Sequence, residues 1–230
     1  MMDFSVMIPV YNEEELLVEN TGKLIKYLDK AKIGEYEVIV CSNGSTDRTV
    51  ELGRVLEERY PGRFRFLFIP RRGVGYAFTK MVDAASSEKL VSLDMDLSSD
   101  LSFIKDCVSK LDDNSVVIGS KYLGKQERKA YRTFISGVFI QLVRALLGLD
   151  YRDYSIGTKG WVRSDILPYV KDIDHGSSYV IELVYHVKKD GGSVVEIPVF
   201  CNDTRGSKFN LVNEIFYRFK NLVSLWLKVR

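Results

Sequence analysis

The sequence predicts an α/β fold: a Rossmann-like mixed sheet flanked by helices, with a C-terminal amphipathic helix. Three observations carry this expectation. Short β-branched apolar runs alternate with stretches of helical periodicity over the first half of the chain. Two aspartates, Asp94 and Asp96, directly follow one of those runs, at the strand end where open α/β sheets bind ligands. The last twenty residues repeat apolar side chains at spacings of three and four. With 230 residues, 46% hydrophobic and 28% charged, the chain can bury a substantial core, and neither a disordered nor a fibrous protein fits.

Phe4–Val10 is the first expected strand, and Glu14–Lys32 carries the periodicity of a helix. Strands follow at Tyr36–Cys41 and Phe64–Ile69, separated by a helix over Thr46–Tyr60. A helix over Val74–Ala85 leads to the strand Leu90–Leu93, and this βαβ alternation predicts parallel neighbours. Beyond the aspartates come a helix over Leu101–Leu111, a strand over Ser115–Ser120 and a long helical region from Gln126 to Leu149. The second half alternates less regularly, with a strand at Gly157–Val162, a helix at Ser178–Lys189 and a strand at Gly192–Phe200. A polar loop, Asn202–Lys208, follows. In the terminal helix Val212, Ile215, Phe216, Phe219, Leu222, Val223 and Trp226 share a face, with Arg218, Lys220, Asn221 and Lys228 elsewhere on the wheel. Such a basic amphipathic helix either docks on its own domain or lies at a membrane surface.

Lys+Arg 33 against Asp+Glu 31 leaves a formal charge of +2, which argues against a nucleic-acid partner held by bulk charge. Cys41, Cys107 and Cys201 form neither a disulfide framework nor a zinc-type spacing, so they read as buried apolar residues in a reducing cytoplasm. His175 and His186 lack ligand spacing and read as structural. The N-terminus reads as the first strand rather than a signal peptide. Phe134–Leu149 is interrupted by Gln141 and Arg144 and is too short for a confident span, so the expectation is a soluble or peripheral protein.

Asp94 and Asp96, two residues apart beyond a buried strand, can together reach a hard divalent cation whose shell substrate phosphates complete. The same spacing also suits a solvated turn, with Ser98, Ser99 or Asp100 capping the next helix. Three further segments leave strand ends of the same sheet: Ile8–Glu15, Cys41–Thr49 and Arg71–Ala77. In the second, Gly44 permits a tight turn and Ser45, Thr46 or Asp47 can cap the following helix. The third is a basic, glycine-containing helix entrance suited to phosphate.

In the order PVYNEEE, SNGSTDRT, RRGVGYA and DMDLSSD, the sequence resembles the inverting family 2 nucleotide-sugar glycosyltransferases, whose fold is called GT-A. Leu93–Ser98 and Gly119–Tyr122 look most like the dolichyl-phosphate mannose synthase group. Arg132 with Ser136, Asp153–Gly157, Glu182, Glu196–Pro198 and Gly206–Lys208 are similar to that group's later landmarks in the same order. The resemblance implies that Pro9, Tyr11 and Glu13 hold the nucleoside, with Asn43 near the base and Met95 within the donor site. It implies that Asp94 and Asp96 bind Mg²⁺ or Mn²⁺ and, through it, the donor pyrophosphate. Lys121, Arg132 and Ser136 match acceptor-phosphate positions, and Arg205 and Lys208 match a loop covering the donor. Asp96, Lys121 and Arg132 are the expected catalytic residues.

Two departures bear on specificity. Ser42-Asn43 replaces the family's usual pair of aspartates, so the usual carboxylate contact to the base is missing and GDP and UDP both stay open. Lys121 replaces arginine, keeping the charge but losing the bidentate fork. A phosphomonoester acceptor is largely anionic at neutral pH, with a second pKa of about 6, and needs positioning cations rather than a base.

The expected activity is transfer of mannose or glucose from a GDP- or UDP-sugar to dolichyl or another polyprenyl phosphate. Residues 1–209 would form the catalytic domain and residues 210–230 an interfacial helix. The expected location is peripheral, on the cytoplasmic face of a membrane, with a separate anchoring partner if stable attachment needs one. The alternatives are transfer to a saccharide hydroxyl, with Asp153 as base, and a non-catalytic, membrane-associated nucleotide-binding module.

Overall fold

The apolar runs become strands β1 (Phe4–Val10), β2 (Tyr36–Asn43), β3 (Phe64–Ile69) and β4 (Lys89–Ser92). Between them lie helices α1 (Glu14–Ala31), α2 (Thr49–Arg59) and α3 (Val74–Ala84). The chain continues through α4 (Ser102–Lys110), β5 (Val116–Ser120), α5 (Ala130–Leu147), β6 (Lys159–Val162), α6 (Arg163–Ile166), α7 (Tyr179–Lys189), β7 (Val194–Pro198) and α8 (Leu211–Val229). The computed structural model describes residues 2–124, 130–201 and 211–230, the side chains of 130–134 and 211–212 excepted.

The seven strands form one mixed sheet in the order β3-β2-β1-β4-β6-β5-β7. β1 pairs in parallel with both β2 and β4, whereas β6 runs antiparallel to both of its neighbours. The chain winds outward from β1 to β3 and then crosses back to β4, so a topological switch point lies between β1 and β4. In such sheets a crevice opens beyond the carboxyl ends of the strands at this point.

Alternation along the strands divides the core into two layers. Met7, Ile39, Leu90, Ile118 and Trp161 pack toward α3, α7 and the α5–α8 pair. Val6, Ile8, Val38, Val40, Val91 and Val117 face the layer holding α1, α2 and α4. β2 is buried at all eight positions, as expected of a parallel strand covered on both sides. At the amino-terminal edge of the sheet the buried Glu37 accepts hydrogen bonds from Ser5 Oγ (2.7 Å) and the Ser86 N–H (2.6 Å) and pairs with Arg65 (3.3 Å).

The expected elements form with few changes. α2 begins at Thr49 rather than Thr46, because residues 46–48 are used by the preceding loop and Asp47 Oδ1 accepts the Thr49 N–H (3.0 Å). β6 begins at Lys159 rather than Gly157, whose N–H is given to Asp94 instead of a neighbouring strand (3.2 Å). β7 is shorter than Gly192–Phe200, and the short α6 was not expected. α8 docks through Leu222 and Leu225, and Phe219 meets Phe139 of α5 edge-on at 5.3 Å between ring centres. Phe216, Val223 and Leu227 of α8 remain exposed, as do Val138 and Leu142 of α5.

Candidate active site

The first three motif segments interlock at the carboxyl ends of β1, β2 and β3. Asn12, held at φ 52°, donates its N–H to Ser45 Oγ (3.0 Å) and accepts the Thr46 N–H through Oδ1 (2.8 Å). The Glu13 N–H donates to Thr49 Oγ1 (2.8 Å). Gly44, at φ 74°, sits so close to the next loop that a Cβ would lie 2.9 Å from the Arg72 nitrogen.

Asn43 ties the third segment in. Its Nδ2 donates to the Val10 carbonyl (2.8 Å), and its Oδ1 accepts the Gly73 N–H (3.1 Å). An aspartate there would lose the first of these bonds, because a carboxylate only accepts. Above the knot the Arg72 guanidinium covers the Tyr11 ring at 4.3 Å and Arg71 covers Tyr76 at 3.5 Å. The other face of Tyr76 stacks on His175 at 3.8 Å, and the Gly75 N–H donates to the His175 carbonyl (2.9 Å).

The fourth segment leaves β4 across the switch point, where the Leu93 N–H donates to the Met7 carbonyl (3.0 Å). Asp94 is open to solvent and Asp96 half-buried, whereas the Met95 side chain points into the core and its carbonyl accepts Asn20 Nδ2 (2.9 Å). Asp96 Oδ1 accepts the Ser98 N–H (3.0 Å), and Asp100 Oδ1, not Ser98 or Ser99, accepts the Ser102 N–H that starts α4 (2.8 Å).

The Asp94 carboxyl is pushed above the usual carboxylate range, first by the protein packed around it and then by the Asp96 charge. The Gly157 N–H, Lys159 and Lys121 act in the opposite sense. Water reaching Asp94 tempers the burial effect. Two close carboxylates with unfilled lone pairs fit a hard divalent cation, and its charge would relieve their repulsion. No group of three or more metal-ligating side chains occurs among the described residues, so phosphate and water would complete the shell.

Beside Asp94 lies a cavity of about 340 Å³. α5 contributes Ser136 and Phe139 to it, α8 contributes Arg218 and Phe219, and the 152–157 turn contributes Tyr154 and Asp153. The walls are mainly apolar. The buried Tyr154 hydroxyl makes no hydrogen bond.

Lys121 does not line this cavity and is only 2% exposed. Its ammonium donates to Ser155 Oγ (2.7 Å) and lies 3.6 Å from Asp153 Oδ2. Asp153 also accepts the Lys121 N–H (3.3 Å) and both the N–H and the hydroxyl of Ser155 (2.9 Å each). Burial raises the Asp153 carboxyl, but Lys121, Lys159 and the Ser155 hydrogen bonds outweigh it and hold the group below its ordinary value.

Behind the pair, the fully buried Lys159 donates to the carbonyls of Ile156 (2.8 Å) and Thr158 (3.3 Å). Desolvation lowers its pKa from 10.5 to about 8. Glu196 Oε1 accepts the N–H groups of Arg152 (2.7 Å) and Asp153 (3.2 Å) and so fixes the turn.

Of the residues expected from sequence, Asp94 and Ser136 line the cavity, and Asp96 adjoins Asp94 on the same loop. Tyr11 and Glu13 belong to the interlaced loops on the other side of the switch point, with Pro9 near the end of β1 and Asn43 at the end of β2. Arg132 lies one turn before Ser136 on α5, but its side chain is outside the described residues, as are Arg205 and Lys208. Sequence reading missed Lys159, Tyr154 and Arg218. Arg218 sits on the basic part of the α8 wheel, and Lys159 is the one charge in a short apolar run, a pattern that hints at a special position.

The sheet order and its flanking helices define a GT-A-like fold. The Glycosyl transferase family 2 model matches residues 5–166, and the chain belongs to that family of glycosyltransferases. It is 26% identical over 223 residues to the dolichyl-phosphate β-glucosyltransferase of Trichomonas vaginalis, covering 90% of this chain and 68% of the relative. It is 30% identical over 204 residues to the dolichol-phosphate mannosyltransferase of Pyrococcus furiosus, covering 86% of this chain and 56% of the relative. The chain therefore spans only about half to two thirds of the length of these relatives. Among solved structures, glucosyl-3-phosphoglycerate synthase from Mycobacterium tuberculosis, in complex with Mn²⁺, UDP and phosphoglyceric acid, superposes with a TM-score of 0.69 at 18% identity. That match covers 98% of this chain and 77% of the synthase.

Proposed function

We propose that the chain is a metal-dependent, inverting glycosyltransferase that moves mannose or glucose from a GDP- or UDP-sugar to the phosphate of dolichyl or another polyprenyl phosphate. The observation that carries this reading is the cavity beside Asp94, whose largely apolar walls between α5 and α8 suit a phosphate with a hydrocarbon tail. The two dolichyl-phosphate transferases among its relatives support the same acceptor class.

In this reading the interlaced loops around Tyr11, Glu13 and Asn43 hold the nucleoside, and Met95 lies beneath the donor. Asp94 and Asp96 would hold Mg²⁺ or Mn²⁺, which when bound would supply positive charge against the diphosphate of the departing nucleotide; the Mn²⁺ and Mg²⁺ complexes of the mycobacterial synthase support that metal class. Ser136 and Arg132 position the acceptor phosphate, whose anionic oxygen attacks the anomeric carbon without a protein base. Lys121 acts from behind the cavity, keeping Asp153 ionised. Arg205 and Lys208 are assigned to the loop over the donor.

A saccharide-hydroxyl acceptor would need a general base, and Asp153 suits that role poorly. It is buried, ion-paired and held below its ordinary pKa, so it is a weak proton acceptor. The exposed apolar side chains on α5 and α8 support peripheral attachment to a membrane, assigned in this reading to its cytoplasmic face. Among the described residues no helix is long and apolar enough to cross one. Any firmer attachment is assigned to an anchoring partner.

The test is a donor panel. The full chain is incubated with Mn²⁺ or Mg²⁺, geranylgeranyl phosphate and either GDP-mannose or UDP-glucose, and lipid-linked sugar is detected by mass. One donor should give product, and EDTA should abolish it. Transfer to an oligosaccharide or to 3-phosphoglycerate, with none to the polyprenyl phosphate, would overturn the assignment. Flotation with anionic liposomes checks attachment, and absence of binding with and without polyprenyl phosphate would refute it.

A further inference from the structure

We infer that Arg218, turned inward from α8, is a binding residue for the acceptor's phosphate, so that the C-terminal helix completes the acceptor site. The inference rests on the proposed lipid-phosphate acceptor and names a cation for it that the sequence motifs do not contain.

Arg218 lines the cavity from α8, with a side chain only 20% exposed. The other cations of this segment, Lys220 and Lys228 on α8 and Arg230 just beyond it, are exposed. A guanidinium turned inward loses hydration, and that cost needs a compensating contact. The Arg218 Nε has one: it donates to Glu214 Oε1 (2.9 Å) one turn earlier and more weakly to Ser177 Oγ (3.4 Å). The Ser177 hydroxyl also donates to Glu214, so the carboxylate is fixed from two sides.

These contacts use one edge of the guanidinium. Its two terminal amino groups donate no hydrogen bond to any described residue, leaving a planar set of donors suited to bidentate phosphate recognition. Glu214 therefore orients the fork and does not occupy it.

Two further observations place this fork in the working part of the cavity. The buried Tyr179 phenol feels both Asp94, which raises its pKa, and Arg218, which lowers it, although desolvation is the largest cause of its rise. The carboxylate and the guanidinium thus flank a common wall. Tyr154 lines the same space, its hydroxyl buried and without a hydrogen-bond partner. A phosphate held near Arg218 would have Phe139 and Phe219 beside it, where a hydrocarbon tail is favoured.

The test is direct binding of geranylgeranyl phosphate and of geranylgeraniol to the full chain by titration calorimetry, for the wild type, Arg218→Gln and Arg218→Lys. The wild type should prefer the phosphate, and Arg218→Gln should lose about tenfold or more of that affinity, the scale of a charge-assisted hydrogen-bonded contact. Binding of the alcohol and of the nucleotide donor should stay unchanged. Arg218→Lys, which keeps the charge without the fork, should fall between the two, and it carries the test if the glutamine variant does not fold.

Wild-type affinity for the phosphate in a folded Arg218→Gln, or in Arg218→Lys where that variant carries the test, would overturn the inference. Equal loss of phosphate and alcohol binding would do the same, because it marks a packing role. A wild type that does not distinguish phosphate from alcohol would also overturn it. Arg218-dependent phosphate binding without sugar transfer would leave the inference standing and bring down the proposed reaction.

Discussion

Lys159 should make the stability of this protein depend on pH in a direction opposite to that of an ordinary ion-paired lysine. In the folded chain its pKa is lowered from 10.5 to about 8, chiefly by desolvation, with Asp153 opposing the shift and Lys121 adding to it. Below pH 8 the ammonium is present in both folded and unfolded chains, and the folded state carries the full cost of burying it. Between about 8 and 10.5 the folded chain has released the proton while the unfolded chain still holds it. The unfolded state then binds more protons, so stability rises with pH. A gap of about 2.5 pH units at about 1.36 kcal/mol each amounts to about 3 kcal/mol.

Lys159→Met removes the titration while keeping most of the side-chain volume. Urea unfolding of both proteins, followed by far-UV circular dichroism at intervals from pH 7 to 10.5, gives the difference in stability. Other titrations in this range, such as that of Cys41, whose thiol burial pushes up to about 12, occur in both proteins and cancel in the difference. The wild type should gain about 3 kcal/mol relative to Lys159→Met as pH rises through this window. A difference that stays flat would refute the claim that Lys159 is a buried, destabilised ammonium.

Gly157→Ala should impair the metal site without altering any proposed ligand. A Cβ there would lie 2.4 Å from Asp94 Oδ1, so the carboxylate must move, and Mn²⁺-dependent nucleotide affinity should fall about tenfold or more while far-UV circular dichroism stays unchanged. Asn43→Asp should destabilise the fold by about 1–3 kcal/mol in urea unfolding, because the Val10 carbonyl loses its donor and a buried charge is added. Glu37→Ala, remote from the site, should cost about 1–3 kcal/mol, chiefly because the buried Ser86 N–H loses its acceptor, whereas the partly exposed Arg65 keeps the Ala84 carbonyl and Ser5 keeps Ser87. Turnover per folded molecule should remain at the wild-type level, measured below the variant's melting temperature.

The first half of the fold was legible because its signals are local. β1, β3 and the helices between them are set by periodicities of two and about 3.6 residues, and their observed ends lie within three residues of those expected. Asp94 and Asp96 were equally legible, since the position of a carboxylate beyond a buried strand follows from the strand itself. The cavity was not, because Ser136, Tyr154, Ser177 and Arg218 come from separate elements whose docking no local pattern encodes. α8 illustrates the reason. Its period marks an apolar side but not which part of that side is covered; docking through Phe219, Leu222 and Leu225 turns Arg218 inward and leaves Phe216 70% exposed. The resemblance likewise implied that Lys121 would meet the acceptor phosphate, whereas proximity to Asp153 and Ser155 gives it buried partners.

The two halves of the proposed site, donor and acceptor, meet in one short segment before α7. On the donor side, the His175 ring stacks on Tyr76 and its carbonyl accepts the Gly75 N–H, while a Cβ at Gly75 would lie 2.1 Å from the Asp174 carbonyl oxygen. The α3 entrance therefore packs against the backbone of residues 174–175 with no space for a side chain. On the acceptor side, Asp174 accepts the Tyr217 hydroxyl of α8, and Ser177 bonds to Glu214 and Arg218. Asp174 also accepts the N–H groups of Gly176 (3.1 Å) and Ser178 (2.9 Å), and Glu182 accepts its own N–H (2.7 Å). The segment is thus braced internally as well as at both ends. Rearrangement of the loop beside Arg71 would have to break or carry with it the contacts that orient Arg218. In the proposed reaction the groups assigned to donor and acceptor are thereby held to one another through a few short hydrogen bonds, an arrangement an in-line displacement would need because a small misplacement of either reactant costs rate steeply.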